Sequence, residues 1–517
     1  MKNFLNLLKL DVLQRIRTYR FFVMVALGLY LAAGFVPAPD ASYSTINLGD
    51  FRPIYNSVWV GALTAMMSSL LICMVGFFLI DGSLGKDIAL KIDTYIRSGA
   101  ISRQRYLLLK AWSNSVLLAI ITLFIFLMAL IMYFIRRESG GFSFPDFLIP
   151  FMLVSVPSAI FTGHLSVILE TLTGRYTAVR MIIFLFCIAA IFPTMQNAAP
   201  GDLTYYRDAL GLSNFFGQIR GLIQQEFSTN LSGISMGYQF FDRHDQISFV
   251  IGDFRYSANF ISSRLVIIAV MTGLLMVSSK IPLTLFRSPV TLNIKPERTV
   301  SRATDQQKPD RPAGVTYGQN FARLIKIDFK SLVTFKKQNI NWLIAAIWIA
   351  SVFVPVNVSH SYLLPLMVLF SSNKIASLGV RAYQTNIIQY SRVFPKFYSR
   401  QMLTHLLATL IWLLLLATPI MVRLLINQEL LPIVNIGVGL LFLALLAQLI
   451  GTISRSARLF EIVLVLLTYF MINGLSLFDY VGASGGEYAA RLFIFMVFAS
   501  PVMAFFHYLW IINKANG

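Results

Sequence analysis

Apolar runs of about 20 residues, enough for a helix to cross a bilayer, recur along this chain and leave it few ways to fold. They lie near 21–36, 57–80, 107–135, 147–169, 178–195 and 265–285, and again near 341–356, 362–378, 402–425, 431–453, 459–478 and 491–512. Backbone in hydrocarbon must satisfy its own hydrogen bonds, so each run has to be helical. With 56% hydrophobic and 13% charged residues in 517, a water-soluble fold of this size would lack the polar surface to cover its core. The expected fold is therefore an all-α polytopic membrane protein of about twelve transmembrane helices.

The formal charge of +20 does not point to nucleic acid. Lys and Arg are spread over the short segments between apolar runs, the distribution that fixes membrane orientation and attracts anionic lipid. Membrane lipid is thus an expected partner and nucleic acid is not. Cys73 and Cys187 both fall inside apolar runs and read as small buried hydrophobes. No two histidines or carboxylates have metal-ligand spacing, so no metal site is expected. The first twenty residues are charged and amphipathic, with no cleavable signal pattern.

Residues 1–20 are expected to form an interfacial helix. Phe4, Leu5, Leu7, Leu8, Val12 and Ile16 make its apolar side, and Lys9, Asp11, Arg15 and Arg17 its polar side. Threading six spans from a cytoplasmic amino terminus puts 81–106 and 171–176 inside and 37–56, 136–146 and 196–260 outside. Arg136 and Arg137 in a short outer loop are the main exception to the positive-inside pattern. Within the outer segment 196–260, Asn214–Phe227 reads as a short amphipathic helix and Gly237–Gly252 alternates like a hairpin; the segment offers a surface for an extracytoplasmic partner.

A proline-containing polar stretch, 287–318, reads as a cytoplasmic linker, after which the pattern restarts. Asn320, Phe321, Leu324, Lys326 and Asp328 stand where Asn3, Phe4, Leu7, Lys9 and Asp11 stand in the first copy. The chain thus divides into a six-span unit over 1–286 and a second over 319–517, the latter with its own interfacial helix at 319–338. Such parallel six-helix repeats imply two similar halves related by an axis along the membrane normal, with both termini inside.

Between the second and third runs lies Gly85–Lys110, GKDIALKIDTYIRSGAISRQRYLLLK, with six basic side chains. It is too polar for hydrocarbon and too long for a turn, so it should form a helix across the membrane face with one side free. Tyr390–Gln401 in region 379–401 parallels Tyr95–Gln104, with two extra residues and Phe394-Pro395-Lys396 interrupting it. The short inner loop carrying Arg175 is matched by Thr452–Arg458.

An interfacial helix, two spans, a cytoplasmic helix ending in Gly99-Ala100-Ile101-Ser102-Arg103 with Lys110 beyond, and four more spans resembles the ABC-2 type of ABC transporter permease. The resemblance implies two fused six-span units forming one export pathway in a bacterial cytoplasmic (inner) membrane. It implies that ATPase subunits, expected in two copies, dock on the coupling helices around 81–106 and 379–401. Asp87, Tyr95, Arg97, Ser102 and Arg103 are the docking candidates in the first half, and Arg392, Ser399 and Arg400 in the second. The chain holds no G-x-x-x-x-G-K-[ST] loop and no soluble segment of domain size, so ATP and Mg belong to the partner ATPase and this chain has no catalytic residue or cofactor of its own. The aromatic and aliphatic spans, with few charges, suggest an amphipathic or lipid-like cargo.

Two serine motifs are decoys. Gly233-Ile234-Ser235-Met236-Gly237 spells a nucleophile elbow, but the outer segment cannot build the sheet that motif needs. Gly482-Ala483-Ser484-Gly485 spells an intramembrane protease motif, but His507 lies too far along the last span. Ionisable residues inside or at the ends of spans, His164, Glu170, Arg180, Lys374 and His405, are candidates either for function or for internal pairing. Two other classes stay open. A proton-coupled six-plus-six secondary transporter would share the span count, although Asp81–Lys86 departs from that group's loop motif in spacing and in Phe77. A scaffold or sensor anchoring a soluble partner is the other.

Overall fold

The computed structural model describes residues 2–38, 41, 43–89, 102–174, 176–196, 203–229, 231, 233–240, 246–280, 321–333, 340–384, 397–454, 457–472, 479–483, 499 and 501–505. Helix dominates among them. In chain order, α1 is Lys2–Ile16 and α2 is Tyr19–Phe35. Helix α3 starts at Ser57–Leu71, passes a π-helical turn at Ile72–Gly76 and ends with Phe77–Ile80. Next come α4 (Ser83–Ala89) and α5 (Arg103–Arg136). Helix α6 runs from Phe144–Pro150 through a π-turn at Phe151–Ser155 into Val156–Thr173, and α7 is Thr177–Gln196. After α8 (Ser213–Phe227) and α9 (Ala258–Ser278) the described chain resumes with α10 (Phe321–Val333) and α11 (Ile340–Phe353). Helix α12 combines Val356–Val358, a π-turn at Ser359–Leu363 and Leu364–Gln384. Helices α13 (Phe397–Ile426), α14 (Leu430–Ser454) and α15 (Ala457–Ile472) follow.

Local chemistry sets several of these boundaries. Asn56 caps α3 by accepting from the Trp59 amide at 2.8 Å, and Ser257 caps α9 through Phe260 at 3.2 Å. The π-turn of α6 sits between Pro150 and Pro157, where the ordinary helical ladder loses donors.

Among the described residues, seven helices are long and apolar enough to cross a membrane: Ser57–Ile88, Arg103–Arg136, Phe144–Thr173, Ala258–Ser278, Val356–Arg381, Arg400–Ile426 and Leu430–Ser454. The apolar parts of α2, α7 and α11 are shorter, at Met24–Phe35, Val179–Ile191 and Asn341–Phe353. The run at 491–512 falls mostly outside the described residues, as does the linker 287–318. Large apolar side chains stand outward along α5 (Leu127, Ile131, Phe134), α9 (Leu265, Val270, Val277) and α13 (Ile411, Val422, Leu425). Such belts would drive aggregation in water, and a bilayer covers them. This is an integral membrane protein of helical type.

Polar contacts gather at two ends of the bundle. One end carries α1, residues 81–89, the start of α5 and residues 170–180; we term it the amino-terminal end. At the other end segment 43–53 meets 235–249. Strand β1 (Tyr43–Asn47) pairs antiparallel with β3 (Ser235–Phe240), while β2 (Phe51–Pro53) pairs in parallel with β4 (Ile247–Phe249). The hairpin expected within 237–252 is therefore corrected: both strands form, but each takes its partner from the loop after α2. Alternation marks a strand and says nothing of the strand it joins. Ser235 sits in β3 opposite Asn47, with no strand-to-helix elbow around it. Helix α8 agrees with the expected amphipathic segment and buries Phe215, Phe216, Ile219 and Ile223.

Helix α1 turns Asp11 and Arg15 into the bundle, whereas Leu5, Leu7 and Leu10 point outward. At a membrane surface the apolar medium lies outside the protein, so carboxylate and guanidinium find their partners inside. The two halves also interlock: Ile462 and Leu466 of α15 belong to the first half's core, and Ile182 of α7 packs on the second's.

Candidate functional site

The stretch expected to couple to a partner begins where α3 ends, and the structure grips it there from three sides. Asp81 is held by Arg180 of α7 through two contacts, Nε to Oδ1 at 2.5 Å and Nη2 to Oδ2 at 3.0 Å, both side chains being buried. Arg180 also donates to the Gly174 carbonyl at 3.1 Å, joining the turn after α6 to the same cluster. Glu170, near the end of α6, accepts from the amides of Gly85 (2.8 Å) and Leu84 (3.2 Å), anchoring the first turn of α4. From the second half, Arg458 of α15 donates to the Asp81 carbonyl. Gly82 makes this approach workable: its φ of +71° suits glycine, and a Cβ there would strike the Arg458 guanidinium. A fork-shaped guanidinium on a carboxylate is a directional joint, in which displacement of one helix carries the other.

A second joint ties this segment to α1. Lys110 of α5 lies 2.7 Å from Asp11 and 2.7 Å from Asp87, and the Tyr106 hydroxyl donates to Asp87 at 2.7 Å. Arg15 pairs with Asp11 at 2.8 Å and donates to Asn114 at 2.5 Å, while Ser113 also donates to Asp11. Burial pushes the Asp11 carboxyl up, but Arg15 and Lys110, with hydrogen bonds from Lys110 and Ser113, outweigh it and hold the group below the usual carboxylate range.

In the second half, Asp328 of α10 meets Arg381 of α12 at 3.3 Å and His405 of α13 at 3.7 Å. At the opposite end of the bundle, Arg136 donates to the carbonyls of Ala33 and Val36. Arg423 does the same for Ser351 (2.9 Å) and Val354 (2.5 Å). The apparent charge exception at Arg136 therefore has a physical cause: the side chain covers carbonyls at the end of α2.

Between the joints and the sheets runs a line of cavities. One, of about 480 Å³, opens beside α1 and is walled by Asp11, Arg15, Lys86, Lys110, Phe78 and Ile462 among others. Met24 and Leu79 are shared with a space of about 20 Å³ between α2 and α3. Leu31, Leu71 and Val75 then lead into another of about 30 Å³, walled also by Val465 and Tyr469 of α15. Tyr238 of β3 stands at its outer end and donates to the Leu31 carbonyl at 2.7 Å. Gly34 lets the ring in, since a Cβ there would come within 2.7 Å of the Tyr238 hydroxyl. Beneath the sheets lies a further cavity of about 330 Å³, lined by Tyr43, Asn47, Arg52, Tyr55 and Trp59. The middle of the line is narrow and lined almost wholly by apolar side chains.

The expected site residues fall as follows. Glu170 and Arg180 come together on the 81–85 turn. Asp87 is committed to Lys110 and Tyr106, and Ser102 caps α5 by accepting from the Arg105 amide at 3.4 Å. Arg103 is half-buried at the start of α5, and Arg400 is exposed in the first turns of α13. Ser399 lies on α13; Tyr95, Arg97 and Arg392 lie outside the described residues. His164 Nδ1 is 2.9 Å from the Ile160 carbonyl and its ring meets Trp112 edge-on, between α5 and α6. Lys374 bonds Asn341 and lies 5.1 Å over the Trp412 ring, and His405 faces Asp328. Sequence reasoning named neither Asp81 nor Arg458 as site residues. An acidic residue directly after an apolar run, and the basic loop matched to that of Arg175, were the available signals.

Compared with known proteins, the chain matches no family model, no curated protein and no solved structure.

Proposed function

We propose that this chain is the transmembrane permease subunit of an ATP-driven ABC transporter, an exporter of an amphipathic or lipid-like substrate powered by separate ATPase subunits. About twelve spans in two parallel six-helix units make the pathway, with both termini cytoplasmic in a bacterial inner membrane. The ATPases, two copies carrying ATP and Mg, dock on the segments 81–106 and 379–401. Arg103 and Arg400 face them together with Tyr95, Arg97, Arg392 and Ser399. Asp87 serves instead as an internal fastening of the first segment.

One observation carries this reading: the start of the 81–106 segment is jointed to α6, α7 and α15 at once, through Glu170, Arg180 and Arg458 on residues 81–85. A push on that segment reaches both halves as rigid-body movement, which is what a motor-driven permease requires and what a passive anchor does not. The line of cavities between α2, α3 and α15 supplies a route that such movement would widen.

The test is vanadate-sensitive ATP hydrolysis by a partner that co-purifies with the chain. Disrupting Gly99–Arg103 is expected to abolish its coupling to transport. Transport that survives full ATP depletion while a proton gradient remains would overturn the reading in favour of a secondary transporter.

A further inference from the structure

Residues 43–53 start as a hairpin and do not continue as one. A bridge between Leu48 and Phe51 closes the turn, where Gly49 takes a φ of +69° and its amide donates to Asn47 Oδ1 at 2.8 Å. Beyond that bridge the arms part: β1 pairs with β3 and β2 with β4, and among the described residues no ladder joins β1 to β2. The cavity of about 330 Å³ lies in the opening between them. Every residue from 43 to 48 lines it, and every residue from 51 to 53. A strand that gave only one face to a cavity would present alternate residues, so β1 and β2 also turn backbone edge toward it. Tyr55 and Trp59 line it from the start of α3, and Ser44 Oγ is buried without a hydrogen-bond partner. Arg52 is held by Glu138 at 2.5 Å, so its charge is answered inside the protein.

We propose that this opening is a slot for one extended strand of a partner polypeptide, which pairs with the edges of β1 and β2 and turns an apolar side chain onto Tyr55 and Trp59. Such a strand completes a sheet that the chain leaves split, and residues 44–46 and 51–53 supply the edges. At a rise of about 3.3 Å, a strand spacing of about 4.8 Å and a sheet thickness of about 10 Å, the cavity holds about two extended residues. The rest of the occupant stays outside, which suits a protein's strand or tail and not a small solute. Thr45 donates to the Phe35 carbonyl at the end of α2 at 2.7 Å, and Tyr55 lies just before α3. A strand bound across the slot therefore also ties the ends of those two helices. The slot needs no motor and stands apart from the permease reading.

The experiment uses the full chain in nanodiscs and, as probe, a capped Thr-Val-Thr peptide whose binding is followed by saturation-transfer NMR. Its twin, N-methylated along the backbone, keeps the side chains and loses the donors. The parent is expected to bind about tenfold more tightly than the twin, two backbone hydrogen bonds each contributing several-fold. Ser44→Ala is expected to weaken the parent about fivefold, the share of one hydrogen bond. Ser44→Phe, which fills the slot, should abolish binding. Should Ser44→Phe fail to fold by size exclusion and thermal melting, Gln246→Trp, from the β4 side of the lining, gives the same test.

Absence of binding, equal affinity for the parent and its N-methylated twin, or binding that the slot-filling variants leave unchanged would overturn the proposal. So would displacement of the peptide by millimolar glucose: a polyol uses hydroxyl groups and rings and ignores strand edges, and its success would make the cavity a sugar site instead.

Discussion

Asp11 and Asp328 hold the same position in two helices that share Asn, Phe, Leu, Lys and Asp in register, yet the clasps they close are unlike. Asp11 shares the Lys110 ammonium with Asp87, both at 2.7 Å, and Lys110 is only 6% exposed. Asp328 meets Arg381 and His405 at 3.3 and 3.7 Å, and Arg381 is 44% exposed. Buried, multiply bonded charges resist separation, while pairs open to water contribute little. The difference teaches that a repeated sequence pattern need not make repeated joints: the first clasp shares one buried ammonium between two carboxylates, while the second has longer contacts and a half-exposed guanidinium. The arginine caps show the reverse case. Arg136 and Arg423 cover the same kind of helix end in both halves, because any helix terminus offers the same carbonyls.

The comparison can be broken most forcefully at Asp81. Arg180→Ala leaves a buried carboxylate without its fork and should cost about 3–5 kcal/mol. Arg381→Ala in the second half should cost about 1 kcal/mol or less. Thermal melting in detergent reads both. Adding Asp81→Asn to Arg180→Ala is expected to restore much of the loss, and a double-mutant cycle without coupling would remove the joint from the account.

A smaller effect separates the two clasps. Lys110→Met takes the shared ammonium from Asp11, which keeps Arg15 and Ser113, and from Asp87, which keeps the Tyr106 hydroxyl, and should lower stability by about 2 kcal/mol, against about 1 kcal/mol for His405→Leu. Equal losses would mean that the halves are fastened alike.

The smallest effect is a pH dependence. Because the folded Asp11 carboxyl is held below its ordinary range, its stabilisation is complete above the unfolded value of about 3.9. It is lost as pH falls through the lowered folded value. Melting followed from pH 7 down to pH 3 should show an acid-side loss that Asp11→Asn reduces by about 1 kcal/mol. Parallel curves for the two proteins would place the Asp11 charge outside the energetics of the first clasp.

The length of the apolar runs announced the helical, membrane-embedded class of the fold. Runs such as 107–135 and 402–425 carry enough hydrophobic length to demand a helix whatever surrounds them, and α5 and α13 cover them. Asn214–Phe227 was legible for the same reason. The pairing of β1 with β3 was not, because the partners lie nearly two hundred residues apart and alternation carries no address. The inward turn of Asp11 and Arg15 was not legible either, because two-sidedness along a helix does not say which side meets the bundle.

The sequence by itself determined that the chain is helical and membrane-embedded, where its charges are concentrated, and that Glu170 and Arg180 sit in costly places needing partners. Hydrophobic length and desolvation cost are properties of short segments, readable without neighbours. Only the tertiary structure decided that those partners are Asp81 and the amides of residues 84–85, that Arg458 reaches across from the other half, and that a cavity opens beside α1. Ion pairs and cavities are set by distances across the fold, and these become short only when distant parts of the chain have packed.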